Sequence, residues 1–181
     1  MKRIVSLLLA CAVWLCAAAF AEKSENLFET KYYTMRAPEG WVCDYDDLKK
    51  EEKSWELGYI FRKPDYQLCV FAGLDYYSNW SDVSLWRGRE EDMREYRDVL
   101  LKDYKDYSPE LVETVTVGKI PFLVMKLTDN DAVFYYAETM TNGYAVSFEY
   151  YALDARSEWR NVTDEEYRLF IEMLKTFEPK L

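Results

Sequence analysis

The sequence contains no histidine. That excludes Ser-His-Asp and Cys-His catalysis, in which an imidazole carries the proton. It also removes the usual ligand of zinc, copper and non-haem iron sites. Six glycines are scattered through 181 residues. They form neither a P-loop nor a dinucleotide-binding fingerprint, so no phosphate cradle and no cofactor is implied. No Cys-x-x-Cys pair occurs, which excludes a thioredoxin-type redox site. Basic clusters are also missing, and the formal net charge is −10. Nucleic acid and anionic membrane surfaces both call for Lys/Arg patches, so neither is an expected partner.

What the chain has first is an export signal. Lys2 and Arg3 precede the apolar run Ile4–Leu15, and Ala19-Phe20-Ala21 forms an A-x-A cleavage site. The polar run Glu22–Asn26 follows at once. Residues 1–21 are therefore expected to be a signal peptide and residues 22–181 one domain. The expected location is periplasmic, cell-envelope or extracellular. Two readings compete. Ile4–Ala21 is at the lower edge of membrane-spanning length, as an uncleaved anchor would be. Leu8-Leu9-Ala10-Cys11 resembles a lipobox, which would place a lipid anchor on Cys11, although apolar Ala12–Ala21 is a poor tether. With the signal cleaved, no membrane span is expected. Loss of Lys2 and Arg3 moves the charge from −10 to −12, which favours solubility.

Of four cysteines, Cys11 and Cys16 lie in the leader. Cys43 and Cys69 remain, and an exported chain predicts a disulfide between them, worth roughly 3–4 kcal/mol by loop-closure entropy. Two buried thiols are the alternative.

Asp131–Leu153 is the strongest local signal. Two β-branched and aromatic runs flank Asn142-Gly143, the pair favoured where a type I′ turn needs positive φ twice. Apolar groups on both faces make this a central, covered hairpin. Further strands are expected at Thr30–Arg36, Ser54–Arg62, Tyr66–Leu74, Glu110–Val117 and Ile120–Leu127. Ala37-Pro38-Glu39-Gly40-Trp41 should turn the first of them, with Trp41 anchoring the corner. A helix is expected over Val83–Asp106, where Met93, Tyr96, Leu100, Tyr104 and Tyr107 form one stripe. A second is expected over Thr163–Phe177. Thr163 and Glu166 form its capping box, and Val162 staples to Tyr167. The outcome is an α+β fold: a mostly antiparallel sheet of about six to seven strands with helices packed on it.

Candidate sites are few. Tyr76, Tyr77, Trp80 and Trp86 collect in and after the loop Asp75–Ser84. Aromatics with polar tips suit a glycan or small ligand, while Trp80 and Trp86 could equally staple the helix to the sheet. A glycosidase needs two facing carboxylates, which spacing alone cannot find. Neither Asp44, Asp46 and Asp47 nor Asp129-Asn130-Asp131 matches a calcium loop, and the latter reads as a turn.

The order of elements resembles the PsbP/Mog1-like superfamily, including exported bacterial members of the DcrB kind. Three features carry the resemblance: Tyr32–Arg36 running into Ala37-Pro38-Glu39-Gly40-Trp41, Gly118-Lys119-Ile120-Pro121-Phe122 between strands, and the closing Phe170–Phe177 helix. It implies an α/β/α sandwich and non-enzymatic work as an accessory or protein-interaction module. For an exported chain the expected partner is then an envelope protein. No site residue of the family matches a position here.

The leader generates one expectation. Mass spectrometry of the exported chain should find an N-terminus at Glu22. An intact Met1 or an acylated Cys11 would show retention or lipidation instead.

Overall fold

The computed structural model describes residues 26–30, 32–43, 56–62 and 68–180. The leader with Cys11, the Asp44–Asp47 cluster and the turn Lys63-Pro64-Asp65 lie outside these residues.

The strands are β1 (Leu27–Glu29), β2 (Tyr33–Arg36), β3 (Val42–Cys43), β4 (Glu56–Arg62) and β5 (Leu68–Tyr76). Helix α1 (Glu90–Asp103) follows. Next come β6 (Glu110–Val117), β7 (Ile120–Asp129), β8 (Ala132–Thr141), β9 (Tyr144–Leu153) and β10 (Trp159–Arg160). Helix α2 (Asp164–Leu174) and β11 (Glu178–Pro179) close the chain. The large sheet runs β3-β4-β5-β9-β8-β7-β6, with β10 paired to β9. Every pairing in it is antiparallel. β1, β2 and β11 make a small second sheet. This is the expected α+β architecture.

Period-two alternation gives the large sheet two buried faces. On β8, Tyr135 and Ala137 join a core with Phe28, Tyr33, Phe122, Phe148, Phe170 and Phe177, beneath α2 and the small sheet. Phe134, Tyr136 and Met140 join the opposite core, with Tyr96 and Leu100 of α1. The two helices therefore cover opposite faces.

Asn142 and Gly143 both have positive φ, 49° and 83°, as the type I′ turn requires. Asn130 and Asp131 do the same between β7 and β8, at 47° and 67°. Trp41 is buried at its corner and stacks on Tyr150, with ring centroids 6.5 Å apart.

Two expectations fail. The helix expected from Val83 starts only at Glu90 and ends at Asp103. Leu85–Arg87 is a separate 3₁₀ turn, closed by Gly88 at φ 68°. A left-handed glycine there ends one helical turn and re-aims the next, so the residues before Gly88 are separated from the apolar stripe that begins at Met93. The Cys43–Cys69 disulfide is also contradicted by the register. Cys43 pairs with Phe61 of β4, and Cys69 pairs with Arg62 on the other side of the same strand. Two inter-strand spacings put their Cα atoms roughly 10 Å apart, beyond the roughly 7 Å a disulfide spans. Cys69 instead packs in the α1-side core.

The capping box of α2 forms as read. Thr163 Oγ1 accepts from the Glu166 N–H at 3.3 Å, and Glu166 Oε2 accepts from the Thr163 N–H at 2.9 Å. Arg160 adds a bidentate pair, donating to the two Glu166 oxygens at 2.9 and 2.7 Å. Arg160 and then the Thr163 cap draw the Glu166 carboxyl down to about 2. A depressed carboxyl stabilises the fold above its unfolded value and loses that contribution as pH falls toward the folded one. Thr163→Ala should cost about 1 kcal/mol in denaturant unfolding at neutral pH. The stability gap between wild type and Glu166→Gln should shrink from pH 6 toward about 2; a gap independent of pH would show that the pair contributes nothing.

Candidate functional site

The segment after β5 folds back over the β8–β9 turn. The Tyr77 N–H donates to the Gly143 carbonyl at 2.8 Å, and the Asn142 N–H donates to the Val83 carbonyl at 2.8 Å. The hydroxyls of Ser84 and Thr141 meet at 2.9 Å in a buried contact. Arg87 donates to the Asn142 side-chain carbonyl at 2.9 Å. A Cβ on Gly143 would stand 2.8 Å from the Tyr77 carbonyl oxygen, so glycine is required here by close approach as well as by φ. The hairpin turn and the aromatic loop are thus one clamped unit.

Within it the four aromatics separate. Trp86 donates its indole N–H to Thr139 Oγ1 at 3.0 Å and packs against both cores. It is a staple. Tyr76, half-exposed, rests on Tyr144 with centroids 4.8 Å apart. Trp80 meets Tyr96 edge-to-face at 5.6 Å, and Tyr77 stays 43% exposed. Tyr77 and Trp80 form part of the wall of a cavity of about 370 Å³ between α1 and the sheet. Tyr96, Asp103, Tyr104 and Glu138 also line it.

Glu138 is the residue that sequence reasoning missed. It lies on β8 between Leu123 of β7 and Ser147 of β9, and is 3% exposed. Alternation from Tyr136 through Glu138 to Met140 points it to the α1 side. Its two oxygens accept from the Tyr96 and Tyr136 hydroxyls. Burial lifts its carboxyl to about 7 against the pull of the two tyrosine hydroxyls, and the negative charges of Asp75 and Asp103 lift it further. Burial also raises the Tyr77 phenol to about 12, with Glu138, Asp75 and Asp103 adding to the effect. The available signal was a lone acid in the run Phe134–Met140, on a strand already read as covered on both faces.

A second cavity, about 400 Å³, opens beside the small sheet between Leu27, Arg36 and Glu178. Its Glu29 already binds Lys180 at 2.6 Å. Among the described residues no group of three or more His, Cys, Asp or Glu is placed to hold a metal ion. Asp129-Asn130-Asp131 serves as the β7–β8 turn. No described helix is long and apolar enough to cross a membrane.

Neither a family model nor a curated protein matches the chain. Among solved structures it is similar to the solution structure of cyanobacterial PsbP (CyanoP) from Synechocystis sp. PCC 6803. The TM-score is 0.50 at 15% identity, over 88% of this chain and 95% of that one. The fold is PsbP-like. A crystal structure from Bacteroides thetaiotaomicron also aligns, with TM-score 0.45 and 12% identity, over 86% of this chain and 48% of that one. Neither match singles out the DcrB kind. Within the PsbP-like sandwich, the Glu138 cavity lies on the face covered by α1.

The raised Glu138 carboxyl has a consequence for stability. Between its ordinary value of 4.5 and about 7 the unfolded chain gives up a proton that the folded state keeps. Stability from this group is therefore full at low pH, falls as pH rises through that window, and levels off above it. Urea unfolding should show that loss as the difference between wild type and Glu138→Gln. A difference that does not change from pH 5 to 8 would place the Glu138 carboxyl at its ordinary value.

Proposed function

We propose that the protein is an exported, non-catalytic accessory module of the cell envelope that works by binding, with the cavity under Trp80 as its ligand site. The cavity itself carries this reading. Its volume of about 370 Å³ falls within the roughly 300–1,000 Å³ of small-molecule sites. Aromatic walls and a few convergent polar groups are the usual composition of such sites. The basic n-region, apolar run and A-x-A site of residues 1–21 support export.

The arrangement favours binding over catalysis. Among the described residues Glu138 and Asp103 are the carboxyls that line the cavity, and a hydrolase built from these would have to use them as its pair. Each Glu138 oxygen, however, already accepts a tyrosine hydroxyl. A carboxyl engaged in this way is a fixed acceptor, not a nucleophile presented to substrate. The half-exposed ring of Tyr77, part of the cavity wall, gives an envelope protein a surface to contact.

A small-molecule screen by NMR tests the proposal. Bound compounds should shift the Trp80 indole N–H resonance. Val99→Trp, which fills the cavity from α1 while leaving the circular dichroism spectrum unchanged, should abolish those shifts. Compounds that bind equally well to Val99→Trp, or a screen in which nothing perturbs Trp80, would refute the site.

A further inference from the structure

We infer that this cavity takes a small organic cation, an alkylammonium ion, surrounded by the rings of Tyr77, Trp80, Tyr96 and Tyr104 with Glu138 as its counter-charge. This rests on the reading of the cavity as a ligand site and names the class of ligand.

Two independent features converge on positive charge. The first is the wall. Four aromatic residues come from three places: the segment after β5, the body of α1 and the residue that caps α1. Ring faces carry negative quadrupole charge and attract ammonium groups, most strongly where water is excluded. The second is the field. Glu138 and Asp103 line the cavity, and no Lys or Arg lines it among the described residues. Asp75 of β5 acts on both Glu138 and Tyr77, and Glu149 of β9 acts on Tyr104. Carboxylates of one sign around a low-dielectric recess focus a negative potential in it. An anion is repelled there.

A neutral polyhydroxyl ligand fits less well. It needs donors and acceptors that are not already paired. The Tyr96 and Tyr136 hydroxyls are both committed to Glu138. A cation needs neither hydroxyl to move. It uses the carboxylate those hydroxyls already hold, and it favours the ionised form that burial disfavours. Binding and deprotonation of Glu138 are therefore linked, so affinity should rise with pH through the range in which Glu138 ionises. The groups facing Glu138 define that titration: Tyr96 and Asp103 from α1, Tyr104 at its end, Tyr136 on β8, Asp75 on β5 and Tyr77 beyond it.

Calorimetric titration with choline, with putrescine and with dimethylbutanol, the uncharged carbon isostere of choline, is the test. One or both cations should bind at least about tenfold more tightly than the isostere at pH 8. The preference should weaken toward pH 5 and vanish in Glu138→Gln. Asp103→Asn, at the exposed end of α1, should reduce the preference without endangering the fold, and serves if Glu138→Gln fails to fold. Choline against putrescine separates quaternary from primary ammonium. Equal binding of choline and the isostere would overturn the cation assignment and leave the cavity as a neutral-ligand site. No binding of either cation, beside screen compounds that shift Trp80 and lose that effect in Val99→Trp, would overturn the cation assignment alone.

Discussion

A carboxyl group in the middle of a sheet covered on both faces is the constraint around which the α1 side of this molecule is arranged. Glu138 sits on β8, which is flanked by β7 and β9. Left unpaired there, its acid group would cost several kcal/mol in desolvation. Two phenol hydroxyls offset that cost, one from the same strand and one from α1. The Tyr96 contact fixes where the helix docks on the sheet, because Tyr96 must reach Glu138 while Leu100 packs into the core one turn later. The docked helix then leaves space between itself and the Tyr77–Trp80 segment, and that space is the cavity. Burial, helix position and cavity are consequences of one side chain.

The clamp between the β8–β9 turn and the segment after β5 has a similar reach. Gly143 and Asn142 were legible as a turn because the turn needs positive φ, which is a local requirement. Their second role, accepting and donating backbone bonds to Tyr77 and Val83, depends on chain that is about 60 residues away in sequence, and no local pattern records it. The same division runs through the rest of the fold. The Thr163–Glu166 box, the Trp41 corner and the strand alternation are short-range and appear where the residues place them. Gly88 is a poor helix residue by type, but its left-handed φ, which separates Leu85–Arg87 from α1, follows from how both pieces meet the sheet. Cys43 and Cys69 looked like partners because compartment and count suggested it. Strand order decides otherwise, since β4 stands between them.

The site was half legible for the same reason. Tyr77 and Trp80 stand out in the sequence as loop aromatics, and they line the cavity. Tyr76 and Trp86 stand out on the same grounds but pack on Tyr144 and bond to Thr139. Composition could not separate the pairs, because lining and stapling use the same residue types. Glu138 stood out only as an exception to an apolar pattern, and its tyrosine partners lie 2 and 42 residues away. A PsbP-like fold adds nothing to its identification, because a fold shared at 15% identity fixes layers and strand order, not the chemistry grafted on them.

The sandwich is unequal, and this explains why the cavity lies where it does. On one face, α2 and the small sheet together cover a core in which Phe28, Phe122, Phe148 and Phe170 are wholly buried. On the other, α1 and the Leu85–Arg87 turn cover the sheet, and their buried partners come mainly from β7 and β8. Toward β9 and β5 the cover thins. Ser147 and Glu149 of β9 and Phe71 and Gly73 of β5 are only half-buried, and Asp75 is exposed. Gly73 lies opposite Ser147, whose hydroxyl oxygen is 2.5 Å from where a Cβ on residue 73 would sit. Small and polar residues therefore replace the apolar ones at the line where the helix stops covering the sheet. Glu138 stands on that line, close enough to the core to be desolvated and close enough to the edge to line the cavity. A narrow cover across a broad sheet leaves such a margin, and here Glu138 and Asp75 stand on its sheet side while Tyr96, Asp103 and Tyr104 stand on its helix side.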